Sequence, residues 1–151
     1  VSARDDVLQK LGAMPRVDAT AFASTTPPPI RLVIVGEITP SLNVLLRMHF
    51  GERKRRARDW AARILYAVRC AGLDKETIRA TGKRRLTIER HGRALLDADN
   101  LAGGAKDLTD EVKKFGLIRD DRPDLCELMF RQEKLLPKHK PHMVIILEDL
   151  P

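Results

Sequence analysis

The chain has 151 residues, one domain's worth, and 28 Lys and Arg stand against 21 Asp and Glu for a net charge of +7. That length buries a sizeable core, and the charge favours a polyanionic partner, either nucleic acid or an anionic surface. Aromatics are scattered at 4%, no apolar run approaches a bilayer-spanning length and no signal-peptide pattern opens the chain, so the expectation is a cytoplasmic nucleic-acid binder with no membrane partner.

Residues 1–29 are rich in Ala, Thr, Ser and Pro and close on Thr25-Thr26-Pro27-Pro28-Pro29. A triple proline forces extended backbone, so a flexible N-terminal extension without chemistry is expected here, followed by a folded domain over 30–151. The β-branched run Ile30-Arg31-Leu32-Val33-Ile34-Val35, bounded by Pro29 and Gly36, predicts a buried strand, and Glu37 to Asn43 predicts a loop. From Arg53 to Ala71 the apolar positions Ala57, Trp60, Ala61, Ile64, Leu65 and Val68 recur at three and four. That spacing predicts an amphipathic helix with Trp60 in the core and Gly72 as its stop. Around its start lie Arg47, Arg53, Lys54, Arg55, Arg56 and Arg58 with only Glu52 to oppose them. A solvated helix face usually alternates in sign, so this run favours contact with phosphates.

Lys83 to His91 alternates through Leu86, Thr87, Ile88 and Glu89, predicting a half-exposed strand whose start, Lys83 and Arg84, adds positive charge for DNA. His91 is expected at the surface. Cys70 and Cys126 lack metal-ligand spacing and are expected free, reduced and buried. Leu101, Ala105, Leu108, Val112 and Phe115 step by four and three, predicting a second helix closed by Gly116. Leu125 to Glu133 suits a third strand, with a helix as the alternative, and Met143-Val144-Ile145-Ile146-Leu147 a fourth, after a basic turn. The order β-α-β-α-β-β predicts an α+β fold of two layers, a mixed sheet of about four strands with helices on one face.

Between Asp97 and Asp124 eight carboxylates face five basic side chains, an acidic cluster in a basic chain. On extended chain Asp97 and Asp99 point to the same side, and convergent carboxylates favour a hard cation such as Mg²⁺. The alternative is that Asp99 or Asn100 only caps the next helix. On a helix Lys106 and Asp110 share a face and can form an ion pair.

The string Asp97-x-Asp99-Asn100-Leu101, followed by Lys106, Asp110, Gly116 and Asp120-Asp121, resembles the RusA family of Holliday-junction resolvases. From Lys106 to Asp121 the spacing runs as in that family without a gap, while Ala102-Gly103-Gly104 looks like a local insertion of the kind seen in phage-borne relatives. The turn Pro40-Ser41-Leu42-Asn43 is similar to the one after the family's first strand, which implies that Asn43 lies near the nucleic acid. The resemblance covers about Ile30 to Glu148. It implies that Asp97, Asp99 and Asp121 hold Mg²⁺, or Mn²⁺ in its place, with Asp120 as an auxiliary ligand and Lys106 at the scissile phosphate. It further implies a homodimer that cuts four-way DNA junctions by paired symmetric hydrolysis. Two rivals stay open: a non-catalytic DNA-binding module, and a nuclease with the same metal site that prefers flaps or other branched DNA.

Overall fold

The computed structural model describes residues 26–151; of the extension expected over 1–29, all but Thr26 to Pro29 lies outside the described residues. In chain order the elements are β1 (Ile30–Val35), α1 (Leu42–Arg47), α2 (Phe50–Cys70), β2 (Arg84–Gly92), α3 (Ala98–Gly104), α4 (Lys106–Phe115), β3 (Cys126–Lys134) and β4 (His142–Asp149). The strands form one mixed sheet in the order β1-β4-β2-β3. β4 runs antiparallel to both β1 and β2, with Leu32 opposite Ile145 and Ile88 opposite Ile145 on either side. β2 and β3 are parallel, Leu86 opposite Leu128. A parallel pair needs a long crossover, and α3 with α4 supplies it. The acidic stretch is therefore the crossover itself.

Leu32, Ile34, Leu86, Ile88, Met143, Ile145 and Leu147 come from one sheet face and pack on Trp60, Ile64 and Val68 of α2 and Leu108 and Val112 of α4. The fold is α+β with helices on one face, as the hydrophobic periods predict. Trp60 is 2% exposed. Gly72 (φ 70°) follows the end of α2 and Gly116 (φ 90°) caps α4, both in the left-handed region that a non-glycine residue adopts at a cost.

Several local expectations are corrected. The loop expected over 37–43 runs into helix α1, because the Ser41 hydroxyl accepts from the Val44 N–H at 3.2 Å and caps it. α2 starts three residues earlier than its apolar period, where His49 Nδ1 accepts from the Gly51 N–H. The single helix expected from Leu101 to Phe115 is two, α3 and α4, meeting at Ala105. β2 is not half-exposed: it lies between β4 and β3, so Thr87 and His91 are buried along with Arg84 and Arg90. His91 stacks on His142 with ring centroids 4.4 Å apart. Cys126 is buried as expected, but Cys70, the last residue of α2, is exposed. Among the described residues no helix is long and apolar enough to cross a membrane.

Candidate functional site

The connection from β2 into α3 is held by two polar side chains, the buried Arg90 and the partly buried Gln132. Arg90 donates through Nε to the Thr39 carbonyl and through Nη1 to the Ala94 carbonyl, both at 2.9 Å. It thereby ties the turn before α1 to the linker before α3. From β3, Gln132 accepts from the Leu96 N–H at 2.9 Å and donates to the Leu96 carbonyl at 2.6 Å. Both ends of this linker are fixed by groups that need one another to stay satisfied away from water.

Asp97 follows and caps α3. Its Oδ1 accepts from the Asn100 N–H at 2.9 Å and its Oδ2 from Asn100 Nδ2 at 2.8 Å. These two donations, the backbone one first, hold its carboxyl below the usual carboxylate range. Asp97 has extended backbone but Asp99 already sits in the first helical turn. The expected same-side pairing on extended chain is thus replaced by a helix cap. Asn100 Oδ1 in turn accepts from the Asn43 N–H at 3.1 Å, so the expected DNA-proximal Asn43 is joined by its backbone to the Asp97 cap.

α1 rests on α3 because Gly103 and Gly104 present no side chain. A Cβ at Gly104 would overlap the Pro40 carbonyl oxygen, and one at Gly103 would come within 2.8 Å of Leu42 Cδ2. The glycine pair is a packing seat for the turn Pro40-Ser41-Leu42.

A second cluster lies along α4. Lys106 Nζ donates to Asp110 Oδ1 at 2.8 Å and to Asp121 Oδ2 at 3.3 Å. Lys113 Nζ donates to Asp121 Oδ1 at 3.2 Å and to Asp120 Oδ1 at 3.4 Å, and the Asp121 N–H donates to Asp120 Oδ1 at 2.7 Å. Hydrogen bonding with the Asp120 side chain, then the ammonium groups of Lys113 and Lys106, hold the Asp121 carboxyl well below the usual range. Asp110 first and Asp121 second raise Lys106, and Asp121 raises Lys113. The intrahelical pair and the long-range contact of Lys106 therefore coexist. Lys113 is a member of this cluster that the motif spacing did not single out, although it lies three residues after Asp110 and seven after Lys106, on the same helix face.

The structure brings together Lys106, Asp110, Asp120 and Asp121. Among the described residues no hydrogen bond or ion pair joins Asp97 or Asp99 to them, and no three His, Cys, Asp or Glu side chains stand close enough together to hold a metal ion. The donor chemistry suits a hard divalent cation, since every candidate ligand is a carboxylate oxygen and two are held ionised. In this arrangement Asp97 gives both oxygens to Asn100 and Asp121 gives both to lysines.

The cations expected to meet DNA divide into three groups. Arg47, Lys54 and Arg55 are exposed. Arg53, Arg56 and Lys83 are partly exposed and paired, with Asp107 at 3.0 Å, Glu37 at 3.4 Å and Glu127 at 3.6 Å. Arg84 is a correction: only 4% exposed, it donates to Asp149 and to the Ile78 and Leu117 carbonyls at 2.6, 2.6 and 2.9 Å. Its guanidinium braces the base of the crossover and is turned away from solvent.

No protein-family model matches the chain, and no curated protein matches it.

Proposed function

We propose that the chain is a Mg²⁺-dependent endonuclease that cuts branched DNA, four-way junctions foremost, by paired symmetric phosphodiester hydrolysis in a homodimer of the RusA type. The observation that carries the reading is the contact of Lys106 with Asp121. These are two motif positions fifteen residues apart, and their contact puts an ionised carboxylate, a ligand for a cation, next to an ammonium group, a partner for a phosphate.

Asp97, Asp99 and Asp121 are the residues that would hold the ion once drawn together from their two separate networks, with Asp120 beside Asp121. When bound, Mg²⁺ supplies an activated water and neutralises charge on the reacting phosphate. Lys106, held between Asp110 and Asp121, is the ammonium group that would offset charge on a phosphate oxygen. Arg47, Lys54 and Arg55 take the flanking phosphates by charge alone and carry no sequence information. A two-fold dimer would present the same surface to two opposing strands, from which paired cuts follow.

A second reading is a non-catalytic DNA-binding module. It is favoured by the protein donors that already sit on both oxygens of Asp97 and of Asp121. Incubating the purified chain with a synthetic four-way junction and with the linear duplex of its arms, in Mg²⁺ and in chelator, separates the two. Paired, Mg²⁺-dependent nicks confined to the junction support the nuclease. Tight junction binding with no cut in Mg²⁺ or Mn²⁺ refutes it and leaves the binding module.

A further inference from the structure

At the corner where α1 meets α2, two large apolar side chains stand in water. Leu46 is 68% exposed and Phe50 is 70% exposed. They are separated in sequence by three residues that contain no acid, and Arg47, Lys54 and Arg55 are exposed cations on the same two helices. The Lys54 ammonium lies 5.0 Å from the centroid of the Phe50 ring. Beside the ring a shallow pocket of about 310 Å³ is lined by Phe50, Arg53, Lys54, Ala57 and Asp107. The corner belongs to the unit that packs on α3, so it stands on the same substructure as Asp97 and Asp99.

We propose that Leu46 and Phe50 form a stacking site for an unpaired nucleobase at the branch point of DNA. The proposal takes its ligand from the branched-DNA reading but does not depend on cleavage. An aromatic face set among cations is the arrangement that binds unstacked bases, because every base has a π face and every phosphate beside it is negative. Apolar side chains that enter a base step also hold it open. A second copy of the chain fits this corner poorly. A two-fold contact would bring its cations against themselves, and two apolar side chains fall far short of a stable interface. Six-residue α1 is likewise too short to form the broad apolar face of a membrane-surface helix.

The test uses the full chain, in chelator so that nothing is cut, and a four-way junction carrying 2-aminopurine either at the branch point or in mid-arm. Binding should change fluorescence at the branch point and leave the mid-arm probe unchanged. Phe50→Ala and Leu46→Ala should each remove most of that change and weaken junction binding by about ten-fold. Affinity for linear duplex and the melting temperature should stay as in the parent chain, and Phe50→Trp should restore the signal. The proposal is overturned if the variants keep the fluorescence change, if duplex binding falls equally, or if their effect is instead a shift in oligomeric state by sedimentation. Cleavage in Mg²⁺ by the parent chain is scored separately. Cutting without a Phe50-dependent signal defeats the stacking site alone, and a Phe50-dependent signal without cutting defeats the nuclease alone.

Discussion

Replacing Gly104 by Ala tests whether the seat between α3 and the turn before α1 holds the candidate site in place. The added Cβ would meet three backbone atoms, the Pro40 carbonyl oxygen and carbon and the Ser41 carbonyl carbon, the last at 3.2 Å. Backbone cannot swing aside as a side chain can. Moreover, the turn is pinned on its other side by Arg90 through the Thr39 carbonyl. Overpacking of this kind costs about 3 kcal/mol, the upper part of the usual range, because neither partner can relax alone. For a domain of this size that lowers the melting temperature by about 10 °C. Gly103→Ala is the control. It meets only Leu42 side-chain atoms at 2.8 to 3.0 Å, which can shift, so a loss of about 1 kcal/mol is expected. Thermal unfolding followed by circular dichroism reads both. A Gly104→Ala variant that melts within about 2 °C of the parent would show that α3 and the turn move apart freely, and the reasoning would fail.

Lys106→Ala should slow junction cleavage by about a hundred-fold while junction affinity in chelator changes less than about three-fold, since the role assigned to Lys106 is at the reacting phosphate; unchanged turnover in a gel assay would transfer that role to Lys113. Arg47→Ala with Arg55→Ala should reduce the slope of log affinity against log salt by about two, one for each lost phosphate contact. An unchanged slope by fluorescence anisotropy would place the DNA elsewhere. The Asp121 carboxyl is depressed in the folded chain, so its contribution to stability is complete above the ordinary carboxylate value near 4 and is lost as pH falls toward its own lower value. Asp121→Asn should therefore melt below the parent at pH 7, by about 2 °C for so exposed a cluster, and the gap should close as pH drops below about 4. A gap that widens in acid would contradict the assigned direction.

What was legible in the sequence is what short-range pattern encodes. The strands appear as β-branched runs, Trp60 and Ile64 as a period of three and four, and Gly116 as the residue that can end a helix with positive φ. What was not legible depends on partners far along the chain. Arg84 reads as surface charge because nothing near it announces that the carbonyls of Ile78 and Leu117 will receive it. His91 reads as exposed until β2 is known to lie between two other strands. Gly103 and Gly104 read as a bare pair until the Pro40 turn is seen against them. At the site, the motif named residues that the structure does place near one another, Lys106 with Asp110, Asp120 and Asp121. It did not distinguish an aspartate on extended chain from one that caps a helix, because capping depends on the backbone turn that follows.

The two groups of carboxylates are held in physically different ways, and this bears on how such a site would work. Asp97 is fixed by a backbone N–H and an amide that is itself linked to Asn43, so releasing it undoes the cap of α3 and loosens α1 with it. Asp121 is held by two ammonium groups on long, partly exposed side chains, which can swing away with no change in the backbone. On the proposed reading, Asp121 is therefore the carboxylate that would take an ion without a backbone change, and Asp97 the one whose position is fixed. On that reading, an ion at Asp121 would leave Lys106 with Asp110 as its remaining partner, at 2.8 Å. A Lys106 ammonium group no longer held by Asp121 is the group that the proposed reading sets against a phosphate oxygen.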